Sequence, residues 1–220
     1  MQKFDTPAAI SAVLDIPAGR IQFIAADRTD TTVEVLPANA SKSRDVKAAQ
    51  EIEVAYSKGV LSIQVPEPAN RFLGTGAVEV TVQLPSGSRV EAKAASTELR
   101  GVGRLGDVVF EGAYRQIKVD EAASLRLTAT DGDVEVGRLT GPAEISTARG
   151  DIRISEAVRG TVTLHTQHGD ITVGAASGAS ASLDAGTGHG RINNALKNDG
   201  TTDLDIRATT SYGDITARSL

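Results

Sequence analysis

One short phrase recurs through the second half of the chain and limits the available folds more than any other feature. It reads Asp131-Gly132-Asp133-Val134-Glu135-Val136, then Arg149-Gly150-Asp151-Ile152-Arg153-Ile154, then His168-Gly169-Asp170-Ile171-Thr172-Val173. An altered copy follows, His189-Gly190-Arg191-Ile192-Asn193-Asn194, and the phrase returns nearly intact as Tyr212-Gly213-Asp214-Ile215-Thr216-Ala217. Two degenerate copies lie upstream, Tyr114-Arg115-Gln116-Ile117-Lys118-Val119 and Ser96-Thr97-Glu98-Leu99-Arg100-Gly101. The first branched apolar residue falls at Leu99, Ile117, Val134, Ile152, Ile171, Ile192 and Ile215, in steps of 18, 17, 18, 19, 21 and 23 residues. Self-similarity at such a period marks one supersecondary unit stacked on copies of itself.

A second phrase precedes each turn: Leu125-Arg126-Leu127-Thr128, Glu144-Ile145-Ser146-Thr147, Val162-Thr163-Leu164-His165-Thr166, Ala181-Ser182-Leu183-Asp184-Ala185 and Leu204-Asp205-Ile206-Arg207-Ala208. Apolar and polar residues alternate at period 2, the pattern of a half-buried strand. One repeat is therefore strand, Gly-Asp turn, strand, then a looser corner. A lone unit exposes unpaired backbone and half an apolar face, and a second coil stacked about 4.8 Å away satisfies both. These features predict an all-β chain: a parallel β-solenoid (β-helix-like) of 17–23-residue coils, forming one domain over 1–220. Residues 93–220 form the regular repeats and 1–92 a less regular strand-rich part or cap.

In that first part, strands are expected over 12–16, 20–24, 32–36, 51–56, 60–65, 78–84 and 89–94, with a loop at 66–76. Residues 44–51 could form a helix, but their strand context favours a loop. The last coil is expected to end at Leu220 without an obvious cap, guarded by Arg218, so that another copy could stack there. Aromatic residues are only 3% and Trp is absent. A core one side chain wide can be filled without rings, whereas a broad core normally uses them for volume.

The x-Gly-Asp-Ile-x-Val phrases, with Leu84-Pro85-Ser86-Gly87-Ser88 and Gly59-Val60-Leu61-Ser62-Ile63 upstream, resemble a bacterial β-strand-repeat family. It carries the label "putative adhesin", or domain of unknown function number 4097. The resemblance extends from about Phe4 to the end. It implies a β-solenoid and brings no established catalytic residues.

Stacking turns each repeated position into a column. The residue after the turn glycine (Gly132, Gly150, Gly169, Gly190, Gly213) gives Glu98, Gln116, Asp133, Asp151, Asp170, Arg191 and Asp214. Stacked carboxylates could bind a cation or act as acid and base on a polysaccharide, but Asp also suits tight turns because it bonds the local backbone. The surface ladder Asp133, Asp151, Asp170 and Asp214 is read chiefly that way. The residue before the glycine gives Ser96, Tyr114, Asp131, Arg149, His168, His189 and Tyr212. His168 and His189 thus fall in neighbouring coils and are the candidate metal ligands, although a third ligand is undefined. Thr128, Thr147, Thr166, Thr187 and Thr209 or Thr210 form a further polar ladder. His165 reads as a surface or packed strand residue. Gly186-Thr187-Gly188-His189-Gly190 lacks the lysine and following helix of a phosphate loop and reads as a turn with close backbone packing.

With zero Cys and no Gly-x-Ser-x-Gly elbow, the sequence shows no nucleophile motif, and it carries no cofactor motif. The net charge of −5 and the lack of a basic cluster argue against nucleic acid. No signal peptide or membrane span is legible, so the expected location is the cytoplasm. The expected role is a non-enzymatic scaffold or binding protein for a protein partner or another copy. The alternative is a carbohydrate-binding or carbohydrate-active β-helix using the acidic column.

Overall fold

Alternation along each strand decides which side chains enter the core. In the computed structural model, which describes residues 1–65, 76–112 and 116–220, Leu125, Leu127 and Ala129 are buried while Arg126 and Thr128 are exposed. The chain runs β1 (Gln2–Asp5), β2 (Ser11–Ala26), β3 (Asp30–Pro37), α1 (Ser43–Glu51), β4 (Glu53–Ser57), β5 (Val60–Gln64), β6 (Val78–Pro85), β7 (Arg89–Gly112) and β8 (Ile117–Asp131). It continues β9 (Val134–Leu139), β10 (Ala143–Arg149), β11 (Ile152–Ala157), β12 (Gly160–His168), β13 (Ile171–Ala175), β14 (Ala181–His189), β15 (Ile192–Ala195), β16 (Leu204–Tyr212) and β17 (Ile215–Ser219).

Successive coils lie in parallel register and form two faces. On one, residues 125–131 of β8 pair with β10, and β10 with β12. On the other, residues 117–122 of β8 pair with β9, β9 with β11, and β11 with β13. The chain is all-β and solenoid-like apart from α1. Its inward columns are single file, for example Leu99, Ile117, Val134, Ile152 and Ile171, each at most 2% exposed. Among the described residues, no helix is long and apolar enough to cross a membrane.

Stacking order departs from chain order at both ends. β12 pairs with β16, and β16 with β14; β13 pairs with β17, and β17 with β15. The C-terminal coil therefore lies between the coils that precede it, and the column runs Ile152, Ile171, Ile215, Ile192. The physical reason lies in the side chains. Ile215 and Ala217 are fully apolar and 1% exposed, whereas the coil ending in β15 carries Asn194 at an inward position. An interior level would bury that amide without a partner, which is costly. The expected last coil at Leu220 is thus corrected: Leu220 N–H donates to the Ala175 carbonyl at 3.0 Å, and residues 181–195 form the outermost level. Likewise β2 sits between β7 on one side and β5 and β6 on the other.

The N-terminal end is closed by antiparallel strands. β4 pairs with β5 on one face; β3 pairs with β6, and β1 with β3, on the other. Phe4 of β1 and Tyr56 of β4 meet with ring centroids 5.5 Å apart. The loop expected over 44–51 is α1 instead. This segment has no Gly or Pro and only one β-branched residue, Val46. Ala48 and Ala49 pack on the core, and buried Asp45 accepts the Ala77 N–H at 3.1 Å. Most of the expected loop at 66–76 lies outside the described residues.

Candidate binding corner

The Gly-Asp corner is where the chain crosses from one face to the other, and every coil must pass there at the same spacing. Gly150 and Gly169 hold φ of +122° and +154°, and a Cβ on Gly169 would overlap the Gly150 carbonyl oxygen below it. Only glycine permits that approach. Gly132, Gly190 and Gly213 share the left-handed φ.

Beside the glycines runs a carboxylate ladder. Asp133 Oδ1 accepts the Asp151 N–H at 2.8 Å, Asp151 Oδ1 the Asp170 N–H at 2.8 Å, and Asp170 Oδ1 the Asp214 N–H at 2.7 Å. Each side chain bonds the next coil, so the four aspartates singled out in the sequence do come together, with one oxygen of each of these three engaged by the backbone. The ladder ends at Arg191, whose N–H donates to Asp214 Oδ1 at 2.8 Å. Its guanidinium donates to Asp214 Oδ2 at 2.8 and 3.2 Å. That cation holds the Asp214 carboxyl below its ordinary range, and the bonds to the Asp214 carboxylate raise the Arg191 guanidinium in turn. Sequence order puts Arg191 inside the column, where it looks like a defect; the structure puts it at the end, where no further coil supplies an N–H among the described residues. Toward the other end the position is taken by charged pairs: Arg20 lies in register between Glu98, 3.3 Å away, and Glu79, 3.9 Å away.

A threonine ladder stabilises the same corner from within. Thr147 Oγ1 donates to the Arg149 carbonyl at 2.9 Å, Thr166 to Gly150 at 3.1 Å, Thr210 to Gly169 at 3.1 Å and Thr187 to Gly213 at 2.9 Å. Thr128 is corrected out of this column. In the registered position stands Ala129, while Thr128 faces solvent in line with Ser146, His165 and Thr209. His165 is an exposed strand residue whose Nδ1 lies 2.9 Å from Thr209 Oγ1. Gly186 to His189 are strand residues of β14, with Gly190 at the corner itself.

Outside the glycines lies the column Asp131, Arg149, His168, Tyr212, His189. Its earlier member Tyr114 lies outside the described residues. The coil exchange inserts Tyr212 between the two histidines. Its ring stacks on His168 at 5.0 Å and on His189 at 4.7 Å, each pair within 9° of parallel. The expected adjacency of His168 and His189 is therefore corrected: they are two levels apart, beyond the reach of one ion with ~2.1 Å bonds to nitrogen. Among the described residues, no three His, Asp or Glu side chains gather so as to hold a metal. Sequence order hid this three-ring ridge, because the element that completes it arrives last in the chain.

The family model described as Toastrack DUF4097 matches residues 13–219. A "putative adhesin" from Bacteroides fragilis superposes with a TM-score of 0.54 at 16% identity, covering 98% of this chain and 95% of that one. A "putative adhesin" from Parabacteroides distasonis gives 0.46 at 15%, covering 98% and 95%. A "putative cell adhesion protein" from Clostridium sporogenes gives 0.43 at 13%, covering 100% and 98%. No curated protein matches the sequence.

Proposed function

The chain belongs to the Toastrack DUF4097 family, and from that premise we propose that it is a non-catalytic, adhesin-like binding scaffold. In this reading one domain, a parallel solenoid of 17–23-residue coils, presents its Gly-Asp corner to a protein partner. The observation that carries it is the ridge His168–Tyr212–His189. Tyr212 is 51% exposed yet held between two parallel rings. A large ring already fixed by its neighbours loses little entropy on docking, and Tyr and Arg dominate binding energy at protein interfaces. Arg149, in line with the rings and 73% exposed, adds a cation at the rim. The carboxylate ladder supports the non-catalytic reading, since one oxygen of each of Asp133, Asp151 and Asp170 serves the stacked backbone.

The test is covalent capture of partners in the source cell through a photo-crosslinker placed at His165, on the face beside the ridge. Tyr212→Ala, with the fold verified by its unfolding curve, is expected to abolish the crosslinked species. A crosslinking pattern unchanged by Tyr212→Ala would remove this corner as the binding surface.

A further inference from the structure

The outermost coil departs from the repeat at two places, and both gain a physical meaning from its position. Where the phrase has Asp after the glycine, this coil has Arg191; where it ends in an inward Val, Ile or Ala, this coil has Asn194. In the four coils below that carry the Asp, its carboxylate accepts an N–H from the coil above, and the inward apolar residue packs under its neighbour. Here, among the described residues, β14 pairs with no strand but β16 and β15 with none but β17, and only the start of β14 is covered, its Ala181 N–H donating to the Lys197 carbonyl at 3.0 Å and its carbonyl accepting from Asn198 at 3.1 Å. An Asp at 191 would offer a docking acceptor to any strand arriving on that edge. Arg191 instead turns back to Asp214 and stands 88% exposed. A valine at 194 would extend the apolar strip of Leu183, Ala185 and Ile192. Asn194 instead folds its Oδ1 onto the Leu196 N–H at 3.0 Å.

We propose that Arg191 and Asn194 form a strand-addition stop, which keeps a second copy of this chain from pairing with the open edges of β14, beyond Ala181, and of β15. Natural sheets blunt exposed edges with short strands, charges and inward-pointing polar groups. β15 is four residues long and Ile192 is 46% exposed, so the end has an apolar component that needs such blunting. The occupant being excluded is another copy. At the opposite end, antiparallel strands and α1 interrupt the coil columns. Two open ends would therefore meet each other in a closed two-fold pair rather than a filament.

The test restores the phrase. Arg191→Asp with Asn194→Val recreates x-Gly-Asp-Ile-x-Val in the outermost coil. Light scattering and sedimentation across a dilution series are expected to show a monomeric wild type and a dimerising double variant. The expected dissociation constant is at least roughly tenfold below the wild-type value, equivalent to ~1.4 kcal/mol. A control with Arg191→Lys and Asn194→Gln keeps both polar blocks and is expected to remain monomeric. If the aspartate prevents folding, Asn194→Val alone carries the same expectation. A folded restored variant that stays monomeric throughout the series overturns the proposal, as does a wild-type dimer crosslinked through β14.

Discussion

The exchange of the last two coils makes a prediction that sequence order reverses. Read in chain order, Ile192 lies between Ile171 and Ile215 in the core column and Ile215 lies at the end. In the structure Ile215 is the interior residue, 1% exposed, and Ile192 the terminal one, 46% exposed. Truncating Ile215 to alanine removes buried carbons and leaves a cavity closed above and below, which costs about 2–5 kcal/mol. Truncating Ile192 forfeits only the buried half of a side chain whose full burial is worth ~1.5–3 kcal/mol, and opens no closed cavity, so ~1 kcal/mol is expected. Urea unfolding measures both, as the midpoint shift multiplied by the slope. Stacked repeats can lose cooperativity, so the two variants are compared by circular dichroism and Tyr fluorescence, whose transitions must coincide. An Ile192→Ala variant that loses more stability than Ile215→Ala would refute the coil exchange and return the stack to chain order.

Other consequences are smaller but as direct. Gly169→Ala is expected to destabilise by ~1–3 kcal/mol from backbone strain alone, with further loss from its overlap with the coil below. Gly178→Ala, at a φ of +82° with open space around its Cβ position, should cost only ~1–2 kcal/mol; thermal melts rank the pair. Thr166→Val removes the hydroxyl bonded to the Gly150 carbonyl and should cost about 1 kcal/mol despite equal volume, while Thr166→Ser keeps the bond; equal midpoints for the valine variant and wild type would contradict the ladder. Asp30, bonded by Arg28 and Lys3, is held down at about 2 against an ordinary 3.8. Because its carboxyl is depressed on folding, its contribution is complete above the unfolded value and fades as pH falls from there towards 2. A carboxyl NMR titration should show that midpoint, and Arg28→Gln should move it up.

Much of the fold was legible because its signals are local. Alternation marks strands at β8, β10 and β12, and the recurring glycine marks the corner, since each reflects the conformation of a few residues. Segment 43–51 was legible too, in its lack of Gly and Pro, but neighbouring strands outweighed that signal. At the candidate corner, the four aspartates were found as a column. The roles of Arg191, Tyr212 and Thr187 were not, because each depends on which coil lies next to it.

The sequence by itself determined the unit: a strand, a Gly-Asp turn, a second strand, and an apolar strip one residue wide. It determined that units must stack, because a single one cannot satisfy its backbone or bury its strip. The order of stacking was decided only in three dimensions. All coils offer nearly the same columns to a neighbour, so local pairing does not distinguish β14 from β16 as the neighbour of β12. The choice falls to differences felt only on burial: the Asn194 amide excluded from an interior level, the apolar Ala217 accepted there, and the Arg191 charge left at the solvent-facing end, paired with Asp214. That choice places Tyr212 between two histidines and leaves an arginine where the aspartate ladder ends.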